Sequence, residues 1–359
     1  MLVVSQVPPP IHGSTVMTAT LLESLRDGGA GVQLVNKRFS RSIDEVGRFT
    51  GRKLVLILAL AREVWTASSK KPKVAILFAT TRKGSFIVDL LINEILRMHR
   101  TPRILYIHTV GFTALANSSK IWHILVRRMF RGAQKVVVLS ERLTKDLEPF
   151  VSEHTFETIS NCAPDESFAL LRETAPERSS ITFISNLIPS KGAHDFVHIA
   201  ERLTSDHKHS FELVGADADE DYTQMLRSEI ARIKNKSIIL HGPLFGDDKK
   251  DILRRSKVLV FPSTYKYEAQ PLTLIEALQH GVPVVAYDVG GIGDIVQDGV
   301  EGFVVPVGDK VALEHAVEKI VNDEHRCAMM ADACRQKFRS TFSRPSFDES
   351  WKELLHDFL

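Results

Sequence analysis

The stretch YEAQPLTLIEALQHGVPVVAYDVGGIGDIVQDGVEG, residues 267–302, decides how this chain folds. Pro271 suits the first position of a helix, where its missing N–H would have no intrahelical acceptor anyway. LTLIEALQH follows with apolar helical spacing, Gly281 stands where a helix C-terminus turns, and Pro283 blocks continuation. VPVVAYD is then an apolar strand, ending in the turn Gly290-Gly291. Helix, turn, strand and turn in so few residues form the repeating unit of a parallel α/β sheet. The same residues carry chemistry. Glu268 precedes the helix and Glu276 lies within it, with seven residues between them. The first free N–H groups, at Leu272 and Thr273, suit an anion. Glu276 sits among apolar neighbours, so its carboxylate is half-buried and costly without hydrogen bonds, which the vicinal hydroxyls of a ribose would supply. Gly290-Gly291, before another helix, offers a second place for backbone donors to face phosphate. This order suits a ligand bearing both phosphate and hydroxyl groups, as a nucleotide sugar does.

Working outward, the same alternation fills the chain. Upstream in the second half lie ITFIS (181–185), FELVG (211–215), SIILHG (237–242) and VLVFPS (258–263), and downstream GFVVPV (302–307). The first half has LVVSQV (2–7), GVQLV (31–35), KVAILFA (73–79), RILYIHT (103–109) and KVVVLS (135–140), separated by amphipathic segments of helical length. Continuous Val/Ile/Leu runs fit strands buried on both faces, and βα alternation implies that they are parallel. The expectation is an α/β chain with two doubly wound Rossmann-like lobes facing a cleft. Residues 1–163 would form the first lobe and 164–344 the second, with a final helix at 345–359 packing back on the first. The polar, proline-containing stretch 161–180 reads as the linker.

A chain of 359 residues suits two domains. Its 44% hydrophobic and 25% charged residues are those of a soluble globular protein. The formal charge of +2 hides an asymmetry: residues 1–150 carry 23 Lys/Arg against 10 Asp/Glu, and residues 151–359 carry 23 against 34. A basic first half fits an anionic partner such as a phospholipid surface or a lipid pyrophosphate; equally, it fits attraction to the acidic second half. Nucleic acid is disfavoured, because aromatic and basic residues do not interleave there. Cys162, Cys327 and Cys334 have no metal-ligand spacing and leave an odd thiol, which points to a reducing, cytoplasmic setting. No apolar run reaches the length of about 18 residues that a membrane span requires, and MLVVSQ reads as a strand and not a signal peptide.

In open parallel sheets ligands bind beyond the carboxyl ends of the strands. After the first strand, VPPPIHGSTVMT offers Gly13 for close approach and Ser14 or Thr15 as a helix cap. After the fourth stands His108, able to hydrogen-bond a sugar hydroxyl or move a proton, or else held by a loop carbonyl. In the second half, Lys191-Gly192 closes the loop after the first strand, where a compact positive charge suits phosphate. Asp217-Ala-Asp219 and Asp247-Asp248 fall in polar loops and read as surface groups.

The motif Glu268-x7-Glu276, with ALQHGVPVVA (277–286) and GGIGDIV (290–296), resembles glycosyltransferase family 4, the retaining nucleotide-sugar transferases of GT-B architecture. SNLIPSKG (185–192), HGPL (241–244), VFPS (260–263) and DGVEGFVV (298–305) support the likeness; PPPIHGS and YIH (106–108) do so more loosely. The resemblance implies that Glu276 holds the ribose, that Glu268 and His108 contact the transferred sugar, and that Lys191 neutralises the pyrophosphate. Backbone groups near Gly13, Asn186, Gly242, Leu272, Thr273 and Gly290 would complete the donor site. Asn186 stands where the family often has arginine, which would leave more of the neutralisation to Lys191. The likeness further implies a UDP- or GDP-sugar donor, no metal or other cofactor, and a saccharide acceptor. The basic segment IWHILVRRMF (121–130) fits an anionic membrane surface or, equally, a buried helix with a charged outer face; the expectation is a peripheral enzyme at the inner membrane face acting on a lipid-linked saccharide in surface-polysaccharide synthesis. A sugar-nucleotide epimerase and a non-catalytic nucleotide-sugar-binding protein are the alternatives. A nicotinamide oxidoreductase would need a G-x-G-x-x-G after the first strand, and none stands there.

Overall fold

The computed structural model describes residues 1–37, 51–163, 178–203, 209–233 and 238–358, with only the backbone at 51–53. The interior of the stretch read as a linker, residues 164–177, lies outside the described residues. The chain divides into two compact units, Met1–Asn161 with Pro345–Leu359, and Cys162–Arg344.

The first unit is built on a parallel sheet of β1 (Leu2–Ser5), β2 (Gln33–Asn36), β3 (Ala75–Ala79), β4 (Arg103–Ile107), β5 (Lys135–Val138) and β6 (Phe156–Thr158). Its order is β2-β1-β3-β4-β5-β6. β1, β3 and β4 are buried at every position, as two-sided coverage by helices demands. β6 went unrecognised in the sequence, because its three residues FET, none of them buried, carry no apolar run. Helices Gly13–Asp27, Gly51–Ser69, Lys83–Met98, Phe112–Asn117 and Lys120–Phe130 connect the strands. The final helix, Arg344–His356, sets buried Trp351 edge-on against Tyr106 of β4, with ring centroids 5.0 Å apart.

The second unit holds β7 (Ser180–Ile184), β8 (Ser210–Val214), β9 (Ile238–Gly242), β10 (Ser256–Phe261), β11 (Val284–Tyr287) and β12 (Gly302–Val305). They pair in parallel in the order β12-β11-β10-β7-β8-β9. Two apolar layers cover the sheet, one around Phe183, Phe196 and Phe211, the other around Phe261, Leu274 and Phe338. In each sheet the order in which the parallel strands are laid down reverses at one point. It lies between β1 and β3 in the first sheet, and between β7 and β10 in the second. Loops leaving strands on either side of such a reversal diverge and open a crevice, the usual ligand position in this architecture.

The helix within residues 267–302 spans Leu272–Gln279, and Pro271 is its N-cap, with ψ 122°, one position earlier than its sequence implied. At the other end, Gly281 N–H donates to Leu278 O and Val282 N–H to Ala277 O, closing the helix as the Gly-Val-Pro stop foretold.

Candidate functional site

In the second unit, the loops leaving β7 and β10 meet at the reversal point. Thr264 N–H donates to Ser190 O at 2.8 Å, and Gly192, at φ +78°, packs its α-carbon against Pro262. A side chain at Gly192 would place its Cβ 2.0 Å from Pro262 O, so only glycine permits this approach. The contact carries Lys191 across to Glu268, where Nζ lies 2.5 Å from Oε2. Ser263 Oγ donates to the same oxygen at 2.9 Å. Lys191 also stands over the faces of Tyr265 and Phe261, 4.7 and 5.7 Å from their centroids. Glu268 is buried, and a carboxylate there requires a partner of this kind. The arrangement is unfinished. Among the described residues, no donor reaches Glu268 Oε1, and Lys191 Nζ makes no second hydrogen bond.

Around this pair, the helix Leu272–Gln279 supplies no acceptor for the N–H groups of Leu272 and Thr273. Glu276 on that helix is half-buried as foreseen, but its partner is Lys249 of the helix Gly246–Arg255, which donates to Oε2. Gly290, at φ +57°, lies against the Glu268 backbone so closely that a Cβ would come 1.9 Å from Glu268 O. The expectation of free donors after it is corrected here: Gly291 N–H is taken by Ala269 O and Ile292 N–H by Val289 O. Gly290-Gly291 thus fixes the Glu268 loop and does not present an anion nest. Gly242 ends β9 at φ +72°, its carbonyl accepting from Gly215 N–H, with open space where a side chain would project. Asn186 is exposed after β7, and its carbonyl accepts from Ile188 N–H.

The first unit places its own residues at strand ends. Gly13 begins the helix Gly13–Asp27, capped by His12. Thr15, read as a possible cap, instead closes a capping box: its Oγ1 accepts from His12 N–H and donates to Pro10 O. Burial and, second, the positive charge of Arg82 lower the pKa of His12. His108 follows β4. It stacks on Phe78 with 5.0 Å between centroids and meets Tyr106 edge-on at 4.2 Å. Although the residue as a whole is only half-buried, its Nε2 is shut away from water without a hydrogen-bond partner among the described residues. Burial drives its pKa down to about 3, so the ring is neutral near pH 7. A loop carbonyl does not hold this nitrogen.

On the helical face of the first unit, apolar side chains stand in solvent: Leu54, Val55 and Leu58 on one helix, Ile87 and Leu91 on the next, Ile121 and Ile124 on a third. Lys83, Lys120 and Arg127 are exposed beside them. Among the described residues, no helix is long and apolar enough to cross a membrane, and no cluster of three His, Cys, Asp or Glu could hold a metal ion.

Reading by sequence missed Lys249, Ser263 and Tyr265. Lys249 gave no signal, because its partner lies 27 positions away; Ser263 stood in the quoted VFPS but looked like a strand end.

Known proteins resemble this chain in sequence and in fold. Residues 172–337 match the family model described as glycosyl transferases group 1. The alpha-maltose-1-phosphate synthase of Mycobacterium tuberculosis is 29% identical over 199 residues, 52% of this chain and 50% of that protein. The O-antigen chain mannosyltransferase C of Escherichia coli is 27% identical over 130 residues, 36% of this chain and 35% of that one. The match thus spans half or less of these relatives' length. Two solved structures extend the likeness of fold to the whole chain. The sucrose-phosphate synthase of Thermosynechococcus elongatus superposes with TM-score 0.77 at 16% identity, covering 99% of this chain and 98% of that one. Anabaena HepE in complex with UDP gives 0.74 at 18%, covering 99% of each. Two parallel six-stranded sheets with flanking helices are the GT-B fold that these structures share.

Proposed function

We propose that this chain, a member of the group 1 glycosyl transferases through residues 172–337, moves a sugar from a UDP- or GDP-sugar to a saccharide acceptor with retention of anomeric configuration. One observation carries the reading. At the reversal point of the second sheet, Lys191 and Glu268 are held together by a rigid pair of loops, yet each keeps unused hydrogen-bonding capacity. Cleaving a sugar–phosphate bond leaves negative charge on the nucleoside diphosphate and positive charge at the anomeric carbon. Lys191 and the N–H groups of Leu272 and Thr273 meet the former, where fixed donors give the largest rate effect. Glu268 meets the sugar, and Glu276 takes the ribose hydroxyls. His108, held neutral, serves a saccharide hydroxyl as a hydrogen-bond partner and not as a proton source. No resident metal is needed in this scheme, since Lys191 supplies the countercharge. The structures of HepE hold UDP and UDP-glucose, which favours a uridine nucleotide here.

A thermal-shift panel of nucleoside diphosphates and their sugars tests the site, and product analysis by NMR tests the transfer. A uridine or guanosine diphosphate sugar should raise the unfolding midpoint, and the product should keep the donor's anomeric configuration. If no nucleoside diphosphate stabilises the protein, the donor reading fails. Product that is an altered nucleotide sugar, with nothing transferred, would make the chain an epimerase.

For the acceptor, we read a lipid-linked saccharide of a surface polysaccharide, met at the cytoplasmic face of an anionic membrane. Exposed Leu58, Ile87, Ile121 and Ile124 beside Lys83, Lys120 and Arg127 fit such a surface by apolar insertion and charge together. Naming of a relative as an O-antigen mannosyltransferase is in keeping with it. Sedimentation with vesicles containing phosphatidylglycerol, compared with neutral vesicles, tests this. Failure to sediment with the anionic vesicles at moderate salt would remove the membrane, and equal binding to both would remove the role of charge.

A further inference from the structure

On the helix Gly246–Arg255, Lys250 pairs with Asp247 and Arg254 with Asp251, each one turn apart in the manner of solvent-facing charges. Lys249 behaves differently. It turns away from its own helix and meets Glu276 Oε2, with side chains 20% and 26% exposed. We propose that Lys249 is a positioning residue for the donor nucleotide, fixing the Glu276 carboxylate so that it accepts both ribose hydroxyls and thereby rejects 2′-deoxynucleotides.

The proposal rests on the reading of Glu276 as the ribose acceptor. A carboxylate offers two oxygens and about four acceptor sites. One site on Oε2 is used by Lys249, which leaves Oε1 and the remaining site on Oε2 for two neighbouring hydroxyls. An unpaired glutamate would have to lose its rotamer freedom when the ligand arrives; Lys249 removes that freedom beforehand. Charge adds a second reason. The donor bears a diphosphate, and two carboxylates beside it would repel it. Each is matched by one lysine, Glu268 by Lys191 and Glu276 by Lys249. Lys249 can be removed without disturbing Lys191, so the two contributions separate.

A plain link between two helices would add little stability and would leave ligand choice untouched. Selectivity is therefore the readout. Calorimetric titration with UDP and 2′-deoxy-UDP, or the guanosine pair if guanosine is the base, is run on wild type, Lys249→Met, Lys249→Arg and Glu276→Ala. Wild type should prefer the ribonucleotide. Lys249→Met leaves the Glu276 charge unmatched, which weakens both nucleotides, and should weaken ribonucleotide binding about tenfold further, the scale of one charge-assisted hydrogen bond. The preference then collapses, and Lys249→Arg restores most of it. A preference undiminished in Lys249→Met but lost in Glu276→Ala overturns the role of Lys249 alone. A preference that survives Glu276→Ala, or no binding to wild type, overturns the ribose reading and Lys249 with it.

Discussion

Each unit buries a lysine–carboxylate pair near the carboxyl ends of its strands, and the two pairs differ in one respect. In the first unit, Lys37 Nζ contacts Asp89 Oδ1 at 2.8 Å and Phe78 O at 2.6 Å, while Asp89 Oδ2 accepts from Thr80 N–H and Oγ1. Both carboxylate oxygens are engaged. In the second unit, Lys191 and Ser263 converge on one oxygen of Glu268, and the other oxygen has no protein donor among the described residues. The closed network holds a loop in place. The open one keeps an oxygen that is not sealed from solvent and is free to accept from a ligand.

The largest effect that can break this contrast is Lys191→Ala. Turnover should fall about 100- to 1,000-fold, the loss expected when a fixed donor to a developing charge is removed. Steady-state rates at saturating donor check it, and a fully active variant would remove Lys191 from the chemistry. Lys37→Met should do the opposite. Leaving Asp89 buried and unpaired costs about 3–5 kcal/mol of stability, seen in urea unfolding, whereas the rate per folded molecule stays near wild type.

A smaller effect concerns His108. Burial holds its pKa at about 3, against 6.5 in the unfolded chain. Between those values the unfolded chain binds a proton that the folded one does not, so stability rises with pH. The contribution is complete above pH 6.5 and is lost as pH falls toward 3. His108→Phe, which keeps an aromatic ring against Phe78, should flatten the pH dependence of the unfolding midpoint over that window. An unchanged slope would place the titration elsewhere. Smallest of all is the effect of chelation: EDTA should leave turnover within about twofold, because charge neutralisation is assigned to Lys191 and backbone donors. A rate restored only by added divalent cation would contradict that assignment.

Strands were the most legible part of the fold. VVAY, AILFA and RILYI are apolar without alternation, and all three lie buried on both faces. Only β6 escaped, since three residues, none of them buried, carry no pattern. Helix ends were legible to within a residue or two, with Pro271 shifted from first turn to cap. Lys191 and His108 could each be picked out after a strand, and Glu268 before a helix. That Lys191 would meet Glu268, or Lys249 meet Glu276, could not be read, because those partners lie 77 and 27 positions apart. Nor could the occupied N–H groups after Gly290, since their acceptors belong partly to another loop.

Hydrophobic patterning along the chain determined by itself that eleven of the twelve strands would form and be wrapped by helices, because burial in a sheet leaves a continuous apolar signature in local sequence. Which charges would end up paired, and which would keep an unused hydrogen bond, was decided only in three dimensions. There the reversal between β7 and β10 brings two loops together, and Gly192 and Gly290 let backbone approach backbone more closely than any side chain allows.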